Sequence, residues 1–176
     1  FFARKLGHTL PRRLSPLRDK LALLAQTGCL NGVWVQRFTQ HFAAQSAESF
    51  IQQILCADLN VKYLLIGDDF RFGAGRSGDF ALLQRQPDFV TERTPRVLVE
   101  DVRASSTVVR QALAEGRLAE ASRLLGHDYV LSGRVKHGAK LGRTLGCPTA
   151  NIALPAYHYP LSGVFVVTVQ GAFGSR

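Results

Sequence analysis

The sequence predicts an α/β fold that gives way, past Gly126, to a short all-β part. Three observations carry that expectation. Residues 61–66 form a near-continuous apolar run, which suits a strand buried on both faces of a parallel sheet. Stretches of helical and strand character alternate as far as residue 125, the pattern of an open α/β sheet. Beyond Gly126 the helical period is gone, and residues 129–135, 150–154 and 164–169 read as strands between Gly- and Pro-bearing loops.

The elements follow in order. Ser15-Pro16 opens a helix, with Ser as N-cap and Pro at the first helical position. Leu17, Leu21 and Leu24 recur at helical spacing before Gly28 ends the run. Residues 33–38 read as a strand, with Trp34 and the other strand aromatics expected in the core. Ser46 caps a second helix, whose Phe50, Ile54 and Leu55, with Leu59 one turn on, make an apolar stripe. Asp79 caps a short helix through Leu83, and residues 96–99 supply another strand. Ser105 starts a helix through Ala114, Gly116 breaks it, and residues 117–125 form the next, ahead of Gly126. The expected domains are therefore 1–125 and 126–176.

A chain of 176 residues holds one large domain or two small ones. With 46% hydrophobic and 20% charged residues, it has the composition of a globular protein with a proper core. No apolar run approaches the ~18–20 residues of a membrane helix, so no membrane partner is expected. Phe1-Phe2-Ala3-Arg4-Lys5 puts its apolar pair before its charges, the reverse of a signal peptide. Methionine is absent, even from position 1, so the chain is expected to be an internal fragment of a longer product. A net charge of +9 favours anionic partners. Lys and Arg never run five together, however, and scattered arginines serve small polyphosphates as well as they serve nucleic acid. Cys29, Cys56 and Cys147 are odd in number and lack a C-x-x-C, which argues for reduced thiols and a cytoplasmic location. His41, His127, His137 and His158 show no metal spacing.

Three segments carry the chemistry. Residues 67–73 follow the apolar run directly, and ligands of open α/β sheets bind beyond the carboxyl ends of strands. There Gly67 and Gly73 bracket Asp69, Phe70, Arg71 and Phe72. Gly67 permits close approach. Asp69 can hydrogen-bond a nucleotide or hold a neighbouring loop, Arg71 offers a planar fork for phosphate, and the two rings can anchor the loop or face a ligand ring. The blander alternative is a tight turn with two aromatic anchors. In the second segment, Ser105, Ser106 and Thr107 open a helix whose unpaired N–H groups suit an anion, with Arg110 about one turn along; an ordinary Ser N-cap is the alternative. In the third, Gly133, Gly138, Gly142 and Gly146 bracket Lys136, His137, Lys140 and Arg143 in a basic loop, followed by Pro148-Thr149-Ala150-Asn151. In an extended segment Thr149 and Asn151 face the same way and can offer two hard oxygens to Mg²⁺. The loop is not a Walker motif, since Ala139 follows Gly138. A plain Gly-rich hairpin is its alternative.

With the three segments in this order, the chain resembles the bacterial bifunctional riboflavin kinase/FMN adenylyltransferases, also called FAD synthetases. The likeness extends to Leu17-Arg18-Asp19-Lys20-Leu21-Ala22-Leu23-Leu24, to Gly78-Asp79-Phe80-Ala81-Leu82-Leu83, and to the helices on either side of Gly116. It implies a Rossmann-like nucleotidyltransferase domain over 1–125 and the start of a riboflavin kinase β-barrel over 126–176. It also implies phosphorylation of riboflavin to FMN and adenylylation of FMN to FAD. ATP, riboflavin and FMN would then be the partners and Mg²⁺ the cofactor, with no nucleic acid. By the same resemblance, Gly67, Asp69, Phe70, Arg71, Phe72 and Gly73 line the nucleotide and flavin site, and Ser105, Ser106, Thr107 and Arg110 hold ATP phosphates. Thr149 and Asn151 bind Mg²⁺ and ATP in the kinase, beside Pro148 and under a flap carrying Gly138, Lys140, Gly142, Arg143 and Gly146.

Four departures accompany the likeness. The family's H-x-G-H motif is expected upstream of Phe1, because Leu6-Gly7-His8 lacks a second His, and the kinase carboxylate is expected past Arg176. Residues 79–105 run several residues short, with Pro87 interrupting a helix, and Cys147 stands where relatives often carry a larger apolar residue. On its own the chain is expected to catalyse neither reaction well. Two rivals remain open. Another small-molecule nucleotidyltransferase leaves residues 148–151 unexplained, and a basic nucleic-acid-binding module needs a clustered patch or stacked aromatics that the sequence does not display.

Overall fold

A computed structural model describes residues 12–147, 149–154, 159–171 and 174–175. The elements run α1 (Leu17–Gln26), α2 (Gln40–Ala43), α3 (Ala47–Ser49), a π-wound helix (Phe50–Asp58), β1 (Tyr63–Ile66), α4 (Phe80–Gln84), β2 (Val90–Arg93), β3 (Leu98–Val99) and β4 (Val102–Arg103). They continue with α5 (Ser106–Ala114), α6 (Leu118–Leu125), β5 (Arg134–Lys136), α7 (Leu141–Thr144), β6 (Asn151–Ala153), β7 (Gln170–Gly171) and β8 (Gly174–Ser175). The composition is mixed α/β. Two compact units result: one holds Trp34–Val97, and the other joins the stretch ending at Val33 to the stretch beginning at Leu98.

In the first unit, Ser46 caps α3 by accepting a hydrogen bond from the Ser49 N–H, as its sequence position implies. The helix then continues with π winding over Phe50–Asp58. Wider turns rotate the inward face. Ile51 and Leu55 become the buried positions, Phe50 and Ile54 are half-buried and Leu59 is exposed, so the stripe expected at 50, 54, 55 and 59 is displaced. Strand β1 pairs in parallel with β2, Ile66 opposite Arg93. Burial on both faces does not follow, however: Ile66 is buried while Tyr63 and Leu65 are about half exposed, because β2 is the one strand beside β1 among the described residues. Strand β2 itself, Val-Thr-Glu-Arg, is too polar to stand out in the sequence.

Residues 33–38 form no strand. No strand pairs with them among the described residues, and Trp34 is half exposed rather than in the core. That core consists of Ala47, Ile51, Leu55, Ile66, Phe72, Leu83 and Phe89. Next to Phe72, Gly73 takes φ 73° and ψ 171°, a conformation open essentially to glycine alone. Its α-carbon lies so close to the helix start that an added Cβ would stand 2.6 Å from the Ala47 nitrogen. The next amide, of Ala74, donates to the Gln45 carbonyl at 2.8 Å. The Asp79 carboxylate caps α4, accepting from the Leu82 N–H at 2.9 Å, and the helix ends at Gln84, ahead of Pro87.

In the second unit, α1 has Pro16 rather than Ser15 at its N-cap, with no side-chain cap. Its stripe stays shallow, with Leu17 and Leu24 exposed and Leu21 half-buried. Ser105 caps α5, and Gly116 and Gly126 end α5 and α6 at φ of 72° and 74°. Across that corner Val109, Ala112 and Leu113 pack on Ala121 and Leu124. The strand expected over 96–99 is only Leu98–Val99, paired antiparallel with β4 through a turn in which Glu100 and Asp101 both have positive φ, 49° and 62°. Strands β5 and β6 pair antiparallel, Lys136 opposite Asn151, and cover less than the expected 129–135 and 150–154. Helix α7 breaks the expectation of a helix-free region after Gly126. Residues 164–169 are not a strand, and Val164 and Val166 are fully exposed. No helix among the described residues is long and apolar enough to cross a membrane.

Gly73 and Gly75 give a matched test. Gly75 also has positive φ, 65°, but faces open space. Gly73→Ala is expected to lose about 3 kcal/mol of unfolding free energy, through strain and the clash with Ala47. Gly75→Ala should lose about 1 kcal/mol. Urea unfolding of the two variants measures the difference.

Candidate functional site

The loop at 67–73 leaves the carboxyl end of β1. Ile66 ends that strand with its carbonyl accepting from both the Thr94 N–H, at 2.8 Å, and the Thr94 hydroxyl, at 3.1 Å. Beyond the paired ends of β1 and β2, Arg96 donates from Nε (2.9 Å) and Nη2 (2.7 Å) to Asp68 Oδ2. Asp68, not Asp69, therefore ties this loop to its neighbour, while Asp69 is exposed near Gly67. Gly67 turns the chain, its carbonyl accepting from the Phe70 N–H at 3.2 Å. Phe72 is the anchor: it is buried, stacks on Phe70 at 5.6 Å and tilts against Phe50 at 5.4 Å. Phe70 is the ring left partly exposed. Arg71 Nη1 sits 2.9 Å from Asp79 Oδ2. The Leu82 N–H, first, and then Arg71 hold the Asp79 carboxyl below its ordinary range.

The second segment lies in the other unit. Ser105 Oγ accepts from the Val108 N–H at 3.3 Å, which leaves Ser106 and Thr107 exposed in the first turn of α5 while Val109, Ala112 and Leu113 face inward. Arg110 folds back along its helix. Its Nη1 donates to the Ser106 carbonyl and to Ser106 Oγ, both at 3.1 Å, and its Nε donates to the Arg12 carbonyl at 2.6 Å. A hydroxyl, a guanidinium and open helix N–H groups therefore meet at one place, a combination that binds anions.

The third segment is the connection between β5 and β6. Lys140, in the left-handed region at φ 59°, leads into α7. Gly146, at φ 73°, turns the chain so that the Cys147 N–H returns to the Gly142 carbonyl at 2.8 Å. Gly138 and Gly142 act by smallness. The Asn151 amide fills the space a side chain on Gly138 would need, and Thr149 Cγ2 and the Cys147 carbonyl crowd the equivalent space at Gly142. Thr149 and Asn151 are both exposed, and neither side chain has a hydrogen-bond partner among the described residues. Lys140 and Arg143 are exposed nearby. No three His, Cys, Asp or Glu side chains gather among the described residues. The groups against the two glycines are the Asn151 amide nitrogen and the Thr149 methyl, and the exposed Thr149 hydroxyl and Asn151 carbonyl are neutral hard oxygens of the kind Mg²⁺ accepts, with most of its other ligands coming from phosphate and water. Pro148 lies outside the described residues.

The sequence displays these segments but not the Asp68–Arg96 pair, the Thr94 contact or the Arg12 carbonyl beneath Arg110. The first two depend on parallel pairing across 28 residues, and the last spans 98 residues. The one usable signal was that Asp68 and Arg96 each follow a strand end.

A family model for FAD synthetase matches residues 2–108, and one for riboflavin kinase matches residues 125–174. The bifunctional riboflavin kinase/FMN adenylyltransferase of Escherichia coli strain K12 is 50% identical over 164 residues, covering 92% of this chain and 52% of its own length. The Haemophilus influenzae protein of the same name is 45% identical over 168 residues, covering 94% and 54%. This chain thus spans about half the length of the curated relatives it matches. Among solved structures, a protein from Streptococcus pneumoniae described as a macrolide-efflux protein superposes with a TM-score of 0.78 at 31% identity, covering 92% of this chain and 53% of that one.

The Asp79 carboxylate yields a pH test. Its folded pKa is lowered, so its ionised form stabilises the fold above the unfolded pKa, and that contribution disappears as pH falls through the folded value. Asp79→Asn keeps a cap acceptor without the charge. The stability advantage of the parent over this variant should be present at pH 7 and shrink below about pH 4, as urea midpoints taken across that range would record.

Proposed function

The chain belongs to the FAD synthetase family, and from that membership we propose that the full-length gene product makes FAD from riboflavin in two ATP-dependent steps. One observation carries the reading: an FAD synthetase match is followed, on the same chain, by a riboflavin kinase match. Residues 1–125 would then form a Rossmann-like nucleotidyltransferase domain, a reading supported by the parallel β1–β2 pairing with its loop at the carboxyl end. Residues 126–176 would open a riboflavin kinase β-barrel, supported by the antiparallel β5–β6 pairing.

In the kinase step the riboflavin 5′-hydroxyl attacks the γ-phosphorus of ATP, and ADP leaves. Lys140 and Arg143 draw the phosphates in, while the turn at Gly146 and the small Gly138 and Gly142 let their loop fold over the nucleotide. Thr149 and Asn151 would hold Mg²⁺, which when bound offsets charge on the transferring phosphoryl group. In the adenylyl step an FMN phosphate oxygen attacks the α-phosphorus of a second ATP, and pyrophosphate leaves. Ser105, Ser106, Thr107 and Arg110 hold the departing phosphates. Arg110 is fixed along two edges by Arg12 and Ser106, so its orientation is set before ATP arrives. Gly67 and Gly73 shape the flavin and nucleotide loop. Phe70 offers it a ring over the buried Phe72, Asp69 an acceptor, and Arg71 a cation steadied by Asp79.

Two variants of the full-length gene product separate the sites. Asn151→Ala should cut FMN formation by on the order of 100-fold while FMN-to-FAD conversion continues, and Arg110→Ala should do the reverse. Chromatographic assay of each step with its own substrate reads both. Equal loss of both activities in either variant counts against two separate sites.

A further inference from the structure

Tyr129 lies in the stretch matched by the riboflavin kinase family model, yet its hydroxyl reaches into a different part of the chain. It donates to the Leu14 carbonyl at 2.9 Å. Two residues earlier, the Arg12 carbonyl accepts from Arg110 Nε at 2.6 Å. Residues 12–14 thus form a short strap gripped at one end by Tyr129 and gripping Arg110 at the other. The strap has no regular structure of its own. Leu14 and Tyr129 both pack on the cluster of Val109, Ala112, Leu113, Ala121 and Leu124, so the same core seats the strap, the tyrosine and the helix that carries Arg110.

We infer that Tyr129 is a positioning residue for the adenylyl-transfer step, fixing the guanidinium of Arg110 through the backbone of residues 12–14. The inference rests on the phosphate-binding role proposed above for Arg110. Its physical content is simple. A guanidinium is a rigid fork whose value lies in its direction, and with Nη1 on Ser106 and Nε on Arg12 that direction is set by where the Arg12 carbonyl stands. Releasing the Leu14 carbonyl two residues away frees the strap to drift and the fork to swing. Burial first, and then the nearby Tyr159, pushes the Tyr129 phenol up to about 12, so it stays a donor at every pH at which the enzyme would work.

A neighbouring contact supplies the control. Ser132 meets Arg18 Nη2 at 2.6 Å and also hydrogen-bonds Asp19, joining the same two stretches of chain without touching residues 12–14. Tyr129→Phe, Ser132→Ala and Arg110→Ala are compared in the full-length gene product, with KM for ATP and kcat measured for each step. Tyr129→Phe is expected to raise the KM for ATP in FMN adenylylation by about three- to tenfold, the range of one lost hydrogen bond. Its riboflavin phosphorylation and its ring packing should be retained. Ser132→Ala should leave that KM alone. An equal rise in Ser132→Ala means general loosening and overturns the inference, as does an unchanged KM in Tyr129→Phe alongside a raised one in Arg110→Ala. If Arg110→Ala itself leaves FMN adenylylation untouched, the underlying reading of Arg110 fails first, and the role of Tyr129 with it.

Discussion

The approach of Gly73 to the backbone of Ala47 is the constraint on which the first unit depends. It lets the chain return to the start of α3, one turn ahead of the π-wound helix, with no side chain between, and it brings Phe72 into the core beside Ile51 and Leu55. The Ala74–Gln45 hydrogen bond locks that return. At its other end the same loop is held by Asp68 on Arg96, and the strand before it by Ile66 on Thr94. A loop pinned at both ends carries its exposed side chains at fixed positions, which is what a binding loop on a rigid scaffold requires.

Glycine serves the β5–β6 connection in another way. At Gly146 the need is conformational, a positive φ that turns the chain back toward Gly142. At Gly138 and Gly142 the need is spatial, because Asn151 and Thr149 lie where a Cβ would go. Basic residues, small turns and two neutral oxygens therefore occupy one short hairpin. Such a device suits a polyphosphate better than it suits a core, since almost nothing in it is buried.

The parts legible in the sequence were those written locally. Ser46, Asp79 and Ser105 each accept from an amide three residues on, and Gly116 and Gly126 end helices with the left-handed turn their type allows. The three chemical segments were legible for the same reason, because each gathers its groups within one short continuous stretch of chain. What stayed hidden depended on partners. Apolar residues at 61–66 do not reveal whether one face or two will be covered, and Trp34 pairs with no strand among the described residues. The polar strand Val90–Arg93 is a strand because β1 lies alongside it. Winding by π turns is a register choice that apolar spacing does not encode, so Ile51 took the place expected for Phe50.

The turn at Glu100 and Asp101 bears on how this part of the chain tolerates change over time. Both residues hold a left-handed conformation, which Glu adopts less readily than Asp, and the two-residue span sets the register that keeps Val99 packed on the cluster formed by α5 and α6. Replacing either with asparagine or glycine relaxes the backbone and keeps the pairing. Adding a single residue slips the ladder and turns Val99 outward, opening the corner between α5 and α6. Drift in residue identity is therefore cheap at this hairpin tip, whereas drift in length is not.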